Sequence, residues 1–79
     1  MSPKQAAFLM FESLDIPDDD QGEQSPEGNT QPHMVWMLRQ IMGWDNTEKA
    51  HRWIGYAQGL AVMLGLGSLE DMKLINRDA

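Results

Sequence analysis

Residues 15–31 divide the chain, because they offer almost nothing from which a hydrophobic core can be built. Ile16 is their single large apolar side chain, and the rest are acids, amides, hydroxyl residues, prolines and glycines. Such a composition cannot bury enough apolar surface to offset the entropy that is lost on ordering. We therefore expect three units: an N-terminal helix over 1–14, an acidic flexible linker over 15–31 and a helical bundle domain over 32–79.

Apolar residues recur at helical spacing on both sides of this linker, between residues that begin and end helices. Pro3 suits the first turn of a helix, and Pro17 ends any helix before it. Asp45 is the expected N-cap of the third helix, and Ser68 with Asp71 predicts a capping box before the fourth. The expected fold class is all-α, a small bundle of three short helices with an additional N-terminal helix on the linker. The predicted helices cover about 3–14, 32–43, 46–64 and 69–77.

The formal charge of −6 lies entirely in the acidic linker. The linker holds six acids and no base, whereas the remainder of the chain has six acids and six bases. A neutral bundle without a basic face argues against direct nucleic-acid binding and favours a protein partner. The linker is either a solvated spacer or a segment that steers the chain to a basic surface. Its candidate partner-binding residues are Asp18, Asp19, Asp20, Glu23 and Glu27.

The side chains that most catalytic and metal sites require are few. The chain has no cysteine, which excludes disulfides and thiolate ligands. His51 lies one helical turn after Glu48, but no third ligand is spaced to join them, so a surface histidine near an acid is the simpler interpretation. Neither a nucleophile elbow nor a phosphate-binding loop is present. We expect no enzyme activity, no cofactor and no metal.

Gly55 and Gly59 lie four residues apart inside the third predicted helix. Since an interior glycine costs about 1 kcal/mol relative to alanine, the pair indicates a close approach by a neighbour, which is a helix of the same bundle, a second copy of the chain or another protein partner. Trp53 is expected to fill the core, and Gln58 to face solvent or to satisfy a backbone group of the neighbour. On this interpretation Gly59→Leu is severely destabilising or blocks self-association, whereas Gly22→Leu in the linker is silent.

Seven methionines and three tryptophans are many for 79 residues. The helical spacing of the methionines is typical of core residues. Trp36 falls off the main apolar stripe of the second predicted helix, so we retain it, together with Arg39, as a candidate partner contact.

The second half of the chain carries a recognisable pattern. Arg52-Trp53-Ile54-Gly55-Tyr56 is followed by Gln58-Gly59, then by a turn at 65–67 and a short acidic helix that closes on Arg77. Over residues 34–77 the chain resembles a family of small helical proteins, without an established activity, that tailed phages and prophages encode. The resemblance implies a phage context and a helical fold, and it carries over no catalytic or ligand residue.

Two function classes follow from these observations. The first is a non-enzymatic phage accessory protein that binds and modulates a host protein in the bacterial cytoplasm. The second is a self-associating structural or assembly factor, a homodimer through the face that holds Gly55 and Gly59. We expect no membrane association in either case, because no apolar run approaches the ~20 residues that span a bilayer.

Overall fold

The computed structural model describes all 79 residues, as four α-helices and no strands. The predicted all-α bundle is confirmed, and each helix lies within two residues of its expected bounds. None of the helices is long and apolar enough to cross a membrane. The helices are α1 at Pro3–Ser13, α2 at Gln31–Met42, α3 at Glu48–Met63 and α4 at Leu69–Asp78.

Every helix begins at a hydroxyl residue whose side-chain oxygen accepts a hydrogen bond from the backbone N–H three residues later. Ser68 and Asp71 form the predicted capping box, and the backbone N–H of Ser68, together with its side chain, holds the pKa of the Asp71 carboxyl below its usual value. The expected cap at Asp45 is wrong, because Thr47 caps α3 and Asp45 lies in the exposed turn before it. The four N-caps are Ser2, Thr30, Thr47 and Ser68.

All four helices contribute to one core. The sequence leaves open whether the N-terminal helix docks on the bundle, and in the structure it does. Helix α1 packs against α2, α3 and α4. Its small Ala6 and Ala7 allow a close approach, and Met10 fills the space between the helices, so this apolar face is covered. The buried core cluster consists of Ala6, Ala7, Met10, Leu14, Met34, Val35, Leu38, Ile41, Ile54, Ala57, Leu60, Ala61, Met72 and Ile75.

Candidate protein-contact surface

Residues 20–28, which we call the strap, run back along α2 in the direction opposite to the helix. Arg39 donates to the carbonyl of Asp20 at 3.3 Å, and the backbone N–H of Glu23 donates to the carbonyl of Pro32 at 2.9 Å. The C-terminal end of the strap is held from α3, where the Tyr56 hydroxyl donates to the carbonyl of Gly28. This central part of the expected flexible linker is therefore attached to the bundle by hydrogen bonds, while its mobility in solution stays a prediction.

His33 holds the middle of the strap. Its side chain is 9% exposed, and its Nδ1 accepts a hydrogen bond from the backbone N–H of Ser25 at 3.0 Å. A ring nitrogen that accepts carries no proton, so in this arrangement the neutral ring carries its proton on Nε2. The sequence does not indicate this role of His33, because the hydrogen bond joins a histidine in a helix to a backbone group in a segment that has no helical pattern.

The closest backbone approach around a glycine lies in the strap, at Gly22. Its φ is +85°, and a Cβ atom built there would stand 2.7 Å from the backbone nitrogen of Trp36. The Asp20 carboxylate accepts the Gly22 N–H at 2.9 Å and fixes this turn. The expectation that Gly22→Leu is silent is therefore reversed, since both the backbone conformation and the contact with α2 exclude a side chain.

The five candidate acids of the linker divide into two groups. Asp20 and Glu27 shape the strap itself: Asp20 caps the turn at Gly22, and Glu27 accepts from the Ser25 hydroxyl at 2.9 Å, which lowers the pKa of the Glu27 carboxyl. The other three carboxylates are exposed and accept no hydrogen bond, and none of them pairs with a base, since the one ion pair of the chain joins Arg77 to Asp78. Those three are Asp18, Asp19 and Glu23.

Trp36 is engaged within the chain rather than free. Its half-buried ring lies 5.3 Å from the ring of His33 and 5.5 Å from that of Trp53. Trp53 in turn packs edge-on to Trp44 at 4.7 Å, so it belongs to a half-buried aromatic row and does not fill the core as expected; Ile54, its neighbour, is fully buried. These stacked rings hold α2 and α3 together on one side of the bundle.

Arg39, the second candidate in α2, is also used internally. Its guanidinium lies 5.1 Å from the centre of the Phe11 ring and donates to the strap at Asp20. The side chain therefore links α1, α2 and the strap.

Gly55 and Gly59 face open space. Both are exposed, and a Cβ atom built at either would meet no atom within 4 Å. Close packing of this face against another helix of the same chain is therefore wrong. Helix α3 turns Ile54, Ala57 and Leu60 to the core, and this leaves the glycines on its outer side.

Large exposed apolar side chains surround the two glycines. Tyr56 is 46% exposed, Met63 66% and Leu69, at the start of α4, 64%. Two shallow grooves of about 260 and 280 Å³ meet over Gly59, one towards α4 and one towards Met63. We call this surface the contact face, and it is made of Gly55, Tyr56, Gly59, Met63 and Leu69.

Gln58 fixes the side of the contact face where α3 meets α4. Only 7% exposed, it exchanges two side-chain hydrogen bonds with Asn76, at 2.6 and 3.1 Å. The expectation that it faces solvent or a neighbour's backbone is wrong, since its partner is a side-chain amide. The reciprocal pair satisfies both amides and orients α4 beside the contact face.

No group of three His, Cys, Asp or Glu side chains lies close enough to hold a metal ion. His51 Nε2 stands 2.6 Å from Asn46 Oδ1 on the exposed surface of α3. No family model, curated protein or solved structure matches this chain. The resemblance to phage-encoded proteins therefore stays an expectation that rests on residues 34–77.

Proposed function

We propose that this chain is a non-enzymatic interaction protein that binds another protein through the contact face. One observation carries the proposal: Gly55 and Gly59 expose the backbone of α3 among large apolar side chains, and nothing in the fold uses the space. Each glycine costs helix stability of about 1 kcal/mol relative to alanine. A partner that approaches the backbone closely would offset that cost.

The charge of the contact face supports the same proposal. Its five residues are uncharged in a chain whose net charge is −6. The buried centres of protein interfaces are depleted in charged residues and enriched in aromatic residues and methionine, and Tyr56 and Met63 supply both. Binding here removes apolar surface from water and desolvates no carboxylate.

The exposed acids supply a second, weaker element. Asp18, Asp19 and Glu23 are free of intrachain ion pairs and are suited to attract a basic surface during encounter. Trp36 and Arg39 are less suited to a partner, because intrachain contacts already hold them. In this proposal the acids affect the rate of association and the contact face determines its strength.

In this proposal the chain is a phage accessory protein that acts on a protein of the bacterial host, in the cytoplasm, and the phage context is supported by the sequence resemblance over residues 34–77 alone. The second candidate is a self-associating assembly factor. Gly55, Gly59 and Met63 are evenly spaced along α3, and this spacing favours self-association. If two copies of α3 pack antiparallel, Gly59 lies opposite Gly59 and each Met63 lies opposite a Gly55.

Site-specific crosslinking tests the proposal. A photoreactive phenylalanine analogue replaces Met63 in the contact face or, as a matched control, Phe8 on α1, which is 44% exposed. After irradiation in a bacterial lysate, we expect a discrete product from position 63 and none from position 8. Adding Gly59→Gln should remove the product, because the larger side chain blocks close approach. Identical products from the two positions, or a product that Gly59→Gln leaves unchanged, would contradict the proposal.

A further inference from the structure

We infer that the protein on the contact face is a second copy of this chain, packed antiparallel about a two-fold axis at Gly59. The inference rests on the proposed binding through the contact face, and it selects the second candidate, self-association, over a host protein as the occupant of that face. Gly55, Gly59 and Met63 are spaced four residues apart and therefore form one ridge along α3. A two-fold axis at Gly59 brings residues at equal distances on either side of it opposite each other.

In such a dimer a large side chain packs against a residue that has no side chain, and the two-fold axis produces this contact at two equivalent places. Gly55 and Met63 are each four residues from Gly59, so each Met63 lies opposite the partner's Gly55. Met63 is 66% exposed, and a Cβ atom at Gly55 would find open space within 4 Å. The flexible methionine can fill this space, and the paired Gly59 residues let the two helix backbones approach.

Charge and size fit a reversible dimer. The five residues of the contact face are uncharged, and Lys73 is the one charged residue that lines the two grooves over them. A standard interface involves roughly 20–30 residues on each side and about 800 Å² per partner. The contact face is small by that measure, and the expected dissociation constant therefore lies in the range of about 1–100 µM.

Sedimentation equilibrium from about 1 to 500 µM spans this range and should show the mass rise from 9.0 kDa towards twice that value. Gly55→Met sets methionine against methionine, and Met63→Gly leaves a hole; each should weaken the dimer by about tenfold or more. The double variant Gly55→Met/Met63→Gly exchanges the positions of the large and absent side chains. It should return the dissociation constant to within about threefold of the wild type.

The double variant also keeps the helix propensity of α3 unchanged, because one glycine is removed and one is introduced. Circular dichroism checks that every variant is folded. Gly43→Met is the matched control: Gly43 is exposed, lies outside the contact face and has only an ordinary 3.5 Å contact for a Cβ atom. It should leave the dimer unchanged.

A chain that stays monomeric throughout the concentration range overturns the inference, and so does a double variant that associates as weakly as the single ones. The crosslinking result separates this failure from that of the proposed function. A monomeric chain whose position-63 product still depends on Gly59 binds a different protein through the same face. If the chain is monomeric and gives no such product, both the inference and the proposed function are wrong.

Discussion

The strap and the contact face both depend on glycine, for opposite reasons. At Gly22 the strap touches the backbone of α2, and the position has both a left-handed φ of +85° and no room for a Cβ atom. At Gly55 and Gly59 the backbone is helical and the space around it is open. The fold requires the first glycine, whereas the other two lower the stability of the single chain. A glycine by itself therefore does not show whether the group that approaches its backbone belongs to the same chain.

The strap and the contact face also differ in the contacts that they make within the chain. The strap contains acids and amides and is attached by hydrogen bonds to Pro32, His33 and Tyr56. The contact face is mostly apolar, and apart from the Tyr56 hydroxyl, which donates to Gly28, its exposed side chains make no hydrogen bond within the chain. A polar segment with few apolar side chains thus has more partners within the chain than an apolar helix face does.

The largest effect is expected from Gly22→Ala. Alanine at positive φ costs about 1–2 kcal/mol, and the clash with the backbone of Trp36 adds about 1–3 kcal/mol, so the free energy of unfolding should fall by about 2–5 kcal/mol. Urea unfolding followed by tryptophan fluorescence measures this change.

Gly28→Ala is the matched control for this variant. Its φ is +72°, but the nearest atoms to a Cβ are the side-chain tips of Tyr56 and His33, at 3.6 and 3.7 Å. Only the conformational cost of about 1–2 kcal/mol should remain. Equal losses at Gly22 and Gly28 would show that the approach to Trp36 contributes nothing.

Gly59→Ala should have the opposite sign. With no atom within 4 Å of the added Cβ, the gain in helix propensity is uncompensated and the free energy of unfolding should rise by about 1 kcal/mol. For a domain of this size the melting temperature should rise by roughly 4–8 °C. The measurement needs dilute protein, so that any dimer is dissociated. A lower melting temperature would mean that a neighbour within the chain covers this face.

A smaller effect is expected from Tyr56→Phe, which removes the hydrogen bond to the Gly28 carbonyl. Because Tyr56 is 46% exposed, water replaces much of that bond, and the loss should be about 0.5 kcal/mol. A glutamate-specific protease reports it as a roughly twofold faster cut at Glu27. Cleavage at Glu48, at the start of α3, serves as the internal control and should not change. Glu27 should also be cut before Glu48 in the wild type, as expected for a mobile linker.

The helices could be predicted because their signals are local. Pro3, Ser68 with Asp71, and the spacing of apolar residues act within one or two turns, and they give the bounds of the four helices to within two residues, although the N-cap of α3 is Thr47 and not Asp45. The strap could not be predicted in this way. Its bonds join Ser25 to His33 and Gly28 to Tyr56, and composition does not record which backbone group a distant side chain reaches.

The contact face was predicted in part. The sequence identifies Gly55 and Gly59 as a small-residue face, since spacing alone places them together on α3. It does not say whether a helix of the same chain covers them, because that depends on how α1, α2 and α4 pack. For the same reason the sequence leaves open whether α1 docks on the bundle, since an apolar helix face separated from the other helices by residues 15–31 gives no indication of what it packs against.

Neutralising the exposed acids should have the smallest effect of all these changes on self-association. Whether binding becomes tighter or weaker distinguishes a second copy of the chain from a basic partner protein. The variant Asp18→Asn, Asp19→Asn, Glu23→Gln removes half of the net charge of −6 and leaves Asp20 and Glu27, which shape the strap, in place. Two copies repel less after this change, so the dimer should tighten by no more than about threefold at low salt.

A basic partner protein should respond in the opposite way, because it loses the attraction that steers it. Its association rate should fall on neutralisation, and the difference from the wild type should vanish towards molar salt, where the Debye length is ~3 Å. The charge-preserving variant Asp18→Glu, Asp19→Glu, Glu23→Asp is the control and should match the wild type in both assays. An unchanged association rate would make the acids a spacer. The contact face, which carries no charge, would then account for binding alone.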